Sequence, residues 1–219
     1  MAYLSGVTGR APCAPWVTEA HTRSPAAASN ADLLYPGGLD VKPDPALAFA
    51  WAKAAARRGL ACAEANLGML LTRGIGCKPD FAEAAVWYRR AAEKHEPAGA
   101  LGLGILHEGG LGVAKDIAEA MRRYQIAADG GNDVAATALG LLLINGNGTG
   151  PDILAQAQRR LSGPAARGFA HAQYGMGLLA LGSGDKARAK FWLSKASAQG
   201  HGGAQAALAG AEKARSAVA

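Results

Sequence analysis

Two kinds of segment alternate along most of this chain. One is apolar nearly all the way round: "AEANLGMLLT" from Ala63, "GALGLGILHE" from Gly99 and "AATALGLLLI" from Ala135. The other opens just after an aspartate and is apolar on one face only: "DFAEAAVWYRRAAEK" from Asp80, "DIAEAMRRYQIAADGG" from Asp116 and "DKARAKFWLSKASAQG" from Asp185. The spacing of its apolar residues predicts amphipathic helices for the second kind. The all-round apolar character of the first predicts helices buried between neighbours, over about Ala63–Thr72, Gly99–Glu108 and Ala135–Ile144. Between them lie "RGIGCKPD" (73–80), "GGLGVAKD" (109–116) and "NGNGTGPD" (145–152). Glycine just past a helix end takes the left-handed conformation that closes the helix, so these read as turns. A phosphate cradle is excluded, since no "GK[ST]" follows and no strand precedes.

The alternation is a repeat. At an offset of 36, Asp44 falls on Asp80, Asp80 on Asp116 and Asp116 on Asp152, with Asp185 coming 33 later. Leu67-Gly68, Leu103-Gly104, Leu139-Gly140, Met176-Gly177 and Leu208-Ala209 follow the same rhythm, and Trp51, Trp87 and Trp192 each lie seven residues past an acid. Each acid stands where it can accept hydrogen bonds from the free N–H groups of a first turn, and reads as an N-cap. Glu83 and Glu119, three residues further on, complete capping boxes.

A glycine in a helix interior costs about 1 kcal/mol relative to alanine. Gly68, Gly104, Gly140 and Gly177 all occupy the middle of a first helix, where a side chain would collide with the second helix of the same unit. Gly102 has an equivalent only in Gly175, and the repeat pattern offers no account of it.

Composition narrows the class. Hydrophobic residues make up 50% of the 219, but only 6% are aromatic, and small residues supply much of the total, which favours closely approaching helices over a sheet. The net charge of +6 contains no run of five or more like charges, so nucleic acid is permitted but not indicated and is an unlikely partner. Cys13, Cys62 and Cys77 form no CxxC pair, and a reduced compartment is expected. No apolar run reaches the length of a membrane span, and the N-terminus lacks the build of a signal peptide. Residues 1–30 are expected to form a disordered tail and the location to be cytoplasmic; export stays open if the true N-terminus lies upstream.

The order Ala63-Leu67-Gly68-Gly74-Gly76-Asp80-Ala84-Trp87-Tyr88-Ala91-Ala92 resembles the Sel-one-like repeat (SLR), a relative of the tetratricopeptide repeat, and the likeness covers roughly residues 31–210. It implies an all-α fold, a right-handed α-solenoid of about five antiparallel helix-turn-helix repeats over 31–219, with a capping helix from Gly203. It also implies scaffold or adaptor work through protein–protein contacts, and a bacterial source suits the composition. The chain departs from the family pattern at Arg159-Arg160, where aromatics are expected, at Ser162-Gly163-Pro164, and in its degenerate first unit, "LLYPGGLDVKPD". Cys62 and Cys77 do not sit at the spacing of the family's paired cysteines.

Little in the chain points to chemistry. No two histidines share a helix at i, i+4, so no metal site is expected. His107 and Glu108 are adjacent and diverge by about 100° on a helix, so they cannot converge on one substrate atom. No nucleophile elbow appears, and neither an enzyme nor a cofactor is expected. His201 follows a unit's terminal glycine and reads as structural. The pairs Arg57-Arg58, Arg89-Arg90, Arg122-Arg123 and Arg159-Arg160 read as a solvated outer face.

By analogy with the related repeat, the first helices line a concave side whose open positions include Ala65, Leu101, Thr137 and Tyr174, then Met69, Ile105, Leu141 and Leu178, with Glu108 in a third row. Such a wall is apolar and suits a partner peptide or helix. The other reading is that tight curvature buries these residues. The expected function is therefore non-enzymatic binding of another protein. An exported or periplasmic regulator, or a cell-wall- or β-lactam-related enzyme, is the alternative.

Overall fold

A computed structural model describes residues 44–146 and 150–216, with side chains as far as residue 211. The expected N-terminal tail, most of the degenerate first unit and Asn147–Thr149 lie outside the described residues. These contain ten α-helices and no strand. They divide into two compact units, 44–132 and 133–216.

The N-terminal unit contains α1 (Pro45–Arg57), α2 (Ala61–Arg73), α3 (Phe81–Glu93), α4 (Pro97–Gly109) and α5 (Ile117–Asp129). Each helix packs on the next, and α2 also packs on α4. The C-terminal unit contains α6 (Asp133–Asn145), α7 (Pro151–Ala166), α8 (Ala170–Gly182), α9 (Lys186–Ala198) and α10 (Gly202–Ser216). Here α6 packs on α7 and α8, α8 on α7 and α9, and α9 on α10. Helix–turn–helix hairpins stacked in sequence order are the α-solenoid arrangement, in which each repeat buries its faces against its neighbours.

Capping explains why each second helix begins where it does. The carboxylates of Asp44, Asp80, Asp116 and Asp185 accept backbone N–H groups of the first turn, from Leu47, Glu83, Glu119 and Arg188, at 2.8–3.1 Å. Asp152 departs from this expectation. Pro151 opens α7, Gly150 is its N-cap, and Asp152 lies inside the first turn. The capping boxes do not close either. The N–H groups of Asp80 and Asp116 donate instead to the carbonyls of Leu71 and His107, each at 3.0 Å. That bond ties the end of the turn to the first helix and leaves the glutamates free for other partners. Glu83 accepts the Trp87 indole N–H at 3.2 Å, and Glu119 holds Arg122 and Arg123.

The turns need glycine for two separate reasons. Gly74 and Gly110 close α2 and α4 at φ +68° and +66°. Gly76 and Gly112, also at positive φ, press onto the start of the preceding repeat's second helix. A Cβ on Gly76 would enter the Pro45 backbone, and one on Gly112 would lie 2.5 Å from the Phe81 carbonyl carbon.

The mid-helix glycines face the second helix as expected. A Cβ on Gly68 would lie 2.8 Å from the Tyr88 ring, and one on Gly104 2.5 Å from Tyr124. On Gly140 and Gly177 it would lie 2.6 Å from Leu161 and Leu193. Gly102, which sequence reasoning left unexplained, has an equally direct role. It faces the Tyr88 ring from the following repeat, so that ring lies between Gly68 and Gly102. Leu161 sits in the same way between Gly140 and Gly175. Burial holds the Tyr88 phenol neutral, its pKa pushed up to about 12.

The Arg159-Arg160 irregularity is absorbed by length. α7 runs 16 residues, against 13 for the other second helices α3, α5 and α9, and continues through Pro164. Leu161 then fills the place that Tyr88 fills in its own hairpin.

Gly102→Ala should lower stability by about 1–3 kcal/mol through overpacking, and in a Tyr88→Ala background the same change should cost little. Gly210→Ala, in α10 with nothing within 4 Å of its Cβ position, should instead stabilise by up to about 1 kcal/mol. Denaturant melts of the four variants decide. Additive losses at Gly102 and Tyr88 would refute the sandwich.

Candidate functional site

The first helices α2, α4, α6 and α8 bury most of their surface, and what remains open is narrow. In the N-terminal unit, Ala65 and Leu101 are buried, at 3% and 6% exposure, so the first expected row faces into the stack. The glycines explain this. With no side chain at Gly68, Gly102 and Gly104, the helices approach so closely that the flanking positions are covered. Met69 and Ile105 stay half-buried on successive first helices. Asn66, one turn before Met69, is half-buried as well, and its Nδ2 is buried without an acceptor among the described residues. Sequence reasoning passed over Asn66, although an amide inside an otherwise apolar helix was a readable signal.

Glu108, expected on the open wall, belongs to the packing. Its carboxylate accepts the Tyr124 hydroxyl at 2.6 Å, fixing the ring that lies against Gly104. Thr72 holds the corresponding place beside Tyr88, with its hydroxyl donating to the Gly68 carbonyl at 2.7 Å. His107 braces its turn, with Nδ1 3.2 Å from the Ala114 carbonyl. The two neighbours thus serve separate structural contacts.

In the C-terminal unit, Thr137 and Leu141 are buried, at 2% and 4% exposure. The Thr137 hydroxyl donates to the Asp133 carbonyl at 2.7 Å, inside its own helix. Tyr174 and Leu178 are half-buried, and with His171 and the exposed Leu181 they form one stripe along α8 at three- and four-residue spacing. Tyr174 stacks on His201, with ring centroids 4.5 Å apart, and His171 meets His201 edge-on at 4.7 Å. His201 is structural, as its position suggested: its Nδ1 accepts the Ala204 N–H at 3.2 Å and caps α10. Burial pushes both imidazoles below the usual histidine range, and the nearby His171 lowers His201 further.

A second feature that sequence reasoning missed lies at the base of the hairpins. Glu64, at the start of α2, is fully buried, and both its oxygens meet the Lys94 ammonium at 2.7 Å. Arg90 Nε lies 3.2 Å from the same carboxylate, and its guanidinium covers the Trp87 ring. Asp133 and Arg167 pair across the base of the α6–α7 hairpin, and the Gln173 and Gln199 amides across that of α8–α9. The arginine pairs are thus only partly a solvated face, since Arg90, Arg122 and Arg123 all hold carboxylates.

Among the described residues no three His, Cys, Asp or Glu side chains come together as metal ligands, and no helix is long and apolar enough to cross a membrane. Cys77 is a free thiol.

Comparison with known proteins agrees with this architecture. A family model described as Sel1 repeat matches residues 28–60, 63–95, 97–132, 133–161 and 170–201. A Sel1 repeat protein from Oxalobacter formigenes has a crystal structure similar to this chain, at 36% identity and a TM-score of 0.66, over 82% of this chain and 74% of that one. The immunity protein Pa5087 from Pseudomonas aeruginosa shares the fold at 23% identity and a TM-score of 0.54, over 83% and 69%. No curated protein matches the sequence. Sel1 repeat proteins generally act as non-enzymatic scaffolds for protein–protein interaction.

His201 gives a pH prediction. Both imidazoles titrate below their ordinary value of 6.5, so folding favours the neutral rings. Their contribution is whole above that value and is lost as pH falls through the lowered folded values. The melting temperature should therefore fall between neutral and mildly acidic pH, and fall less in His201→Asn, which keeps a capping acceptor that does not titrate. Equal falls in both proteins would exclude His201 as the cause.

Proposed function

This chain belongs to the Sel1 repeat family, and from that premise we propose that it is a non-enzymatic adaptor holding an apolar peptide or helix of another protein against its first helices. The observation that carries this reading is the half-buried pair Met69 and Ile105. They are large apolar side chains left open at matching positions on a wall whose other large side chains are covered. Hydrophobic side chains one repeat apart suit the spaced anchors of a bound amphipathic segment. Tyr174 and Leu178 offer a comparable surface on the C-terminal unit. Of the nine positions the repeat analogy marked, the reading retains these four. Ala65, Leu101, Thr137 and Leu141 are buried, and Glu108 is engaged with Tyr124.

The test separates surface from core. Met69→Glu and Ile105→Glu should melt near the parent and weaken binding of a partner, identified by crosslinking to the parent and then purified, by tenfold or more, about 1.4 kcal/mol. Leu101→Glu should melt early, because it buries an unpaired charge. Unchanged binding by both surface variants, with the fold intact, would move the partner site off this wall.

A further inference from the structure

The net charge of this protein is concentrated in one place. Residues 44–132 hold eleven Lys and Arg against ten Asp and Glu, whereas residues 133–219 hold nine against four. Four of the nine lie on α9, at Lys186, Arg188, Lys190 and Lys195, with no acid between them, and all four are exposed. Asp185, which precedes the helix, spends a carboxylate oxygen on the Arg188 backbone N–H at 2.9 Å.

The apolar residues of α9 divide between two directions. Ala189, Leu193 and Ala196 turn into the core. At about 100° per residue, the opposite crest carries Ala187, Phe191 and Ala198, flanked by Lys190 on one side and by Lys195 and Arg188 on the other. Phe191 is 51% exposed, the largest value among the exposed large hydrophobic residues described. Lys195 Nζ stands 4.5 Å from its ring centroid, and the Trp192 ring meets it edge-on at 5.0 Å. Trp192 in turn packs on the cluster around Leu161, which braces the base of the aromatic pair.

A phenylalanine on a convex ridge between small residues offers no pocket to a protein side chain. Three of the four cations are lysines, hydrated point charges on flexible stems, poorly matched to bidentate recognition of fixed carboxylates or phosphates. One outward aromatic is also a poor platform for successive stacked bases. The same features suit a flat, negatively charged and deformable surface. The ring can enter the boundary between headgroups and acyl chains while the lysines stay extended at the phosphate level. We propose that the outer face of α9 docks on an anionic phospholipid bilayer, with Phe191 inserting and Arg188, Lys190 and Lys195 supplying the electrostatic contact. This face is separate from the peptide-binding wall and does not depend on it.

Each cation near an anionic leaflet is worth about fivefold in partitioning. The full-length protein should therefore co-sediment with vesicles of equal parts phosphatidylcholine and phosphatidylserine, remain in solution with phosphatidylcholine alone, and be released by high salt. Lys190→Glu/Lys195→Glu should weaken binding more than about 25-fold, and Phe191→Ala about tenfold. Thermal melts matching the parent would show that both variants remain folded. Because all three positions are exposed, Lys190→Gln/Lys195→Gln provides a milder second variant if the reversal unfolds. Equal sedimentation with both vesicle types would overturn the proposal, as would undiminished binding by folded variants. So would stronger binding to oligothymidylate or polyglutamate than to the anionic vesicles.

Discussion

The Tyr88 ring lies between the backbones of two helices, with Gly68 on one side and Gly102 on the other, and much of the rest follows from that contact. A ring enclosed on both faces sets how far apart consecutive first helices can stand. Any Cβ at either glycine would displace it, and the close approach loads the helices with small residues. The helical-propensity cost of each glycine, about 1 kcal/mol, is offset by burial of an aromatic side chain and by tight packing around it. Leu161 repeats the arrangement with Gly140 and Gly175. The same contact explains why so little of the first-helix wall is open, since positions such as Leu101 and Leu141 are covered once the backbones meet.

Polar groups then fix what the apolar contact leaves free. The turn between helices is held by the aspartate N–H donating back to the first helix, and by glycines whose positive φ allows the chain to press on the preceding repeat. At the other end of the hairpin, buried Glu64 meets Lys94 and Arg90, Asp133 meets Arg167, and Gln173 meets Gln199. These struts differ in chemistry, and each draws one member from the residue that ends a second helix. A buried carboxylate without its cation would be strongly destabilising, whereas a well-paired one adds little net stability. Their constant role is to hold the two helices of a hairpin in one register.

The surfaces proposed for binding lie on what this packing leaves over. Met69 and Ile105 on one unit, Tyr174 and Leu178 on the other, and the Phe191 crest of α9 are among the large apolar side chains that stay accessible. The stacking of Tyr174 on His201 joins one of these surfaces to the cap of α10.

The local rules were legible in the sequence because they act over a few residues. Asp44, Asp80, Asp116 and Asp185 cap because a short carboxylate reaches the next turn's N–H groups, and Gly74 and Gly110 end helices because only glycine takes their φ cheaply. The period exposed the repeat, and with it the contact at Gly104. What the sequence could not show were partners supplied from elsewhere in the fold. Gly102 is explained by a tyrosine of the preceding hairpin, Glu64 by a lysine thirty residues on, and Glu108 by the Tyr124 hydroxyl. Apolar character alone also could not separate Met69 from Leu101. Both are large apolar residues on first helices, and only the distance at which the backbones settle decides which of them is covered.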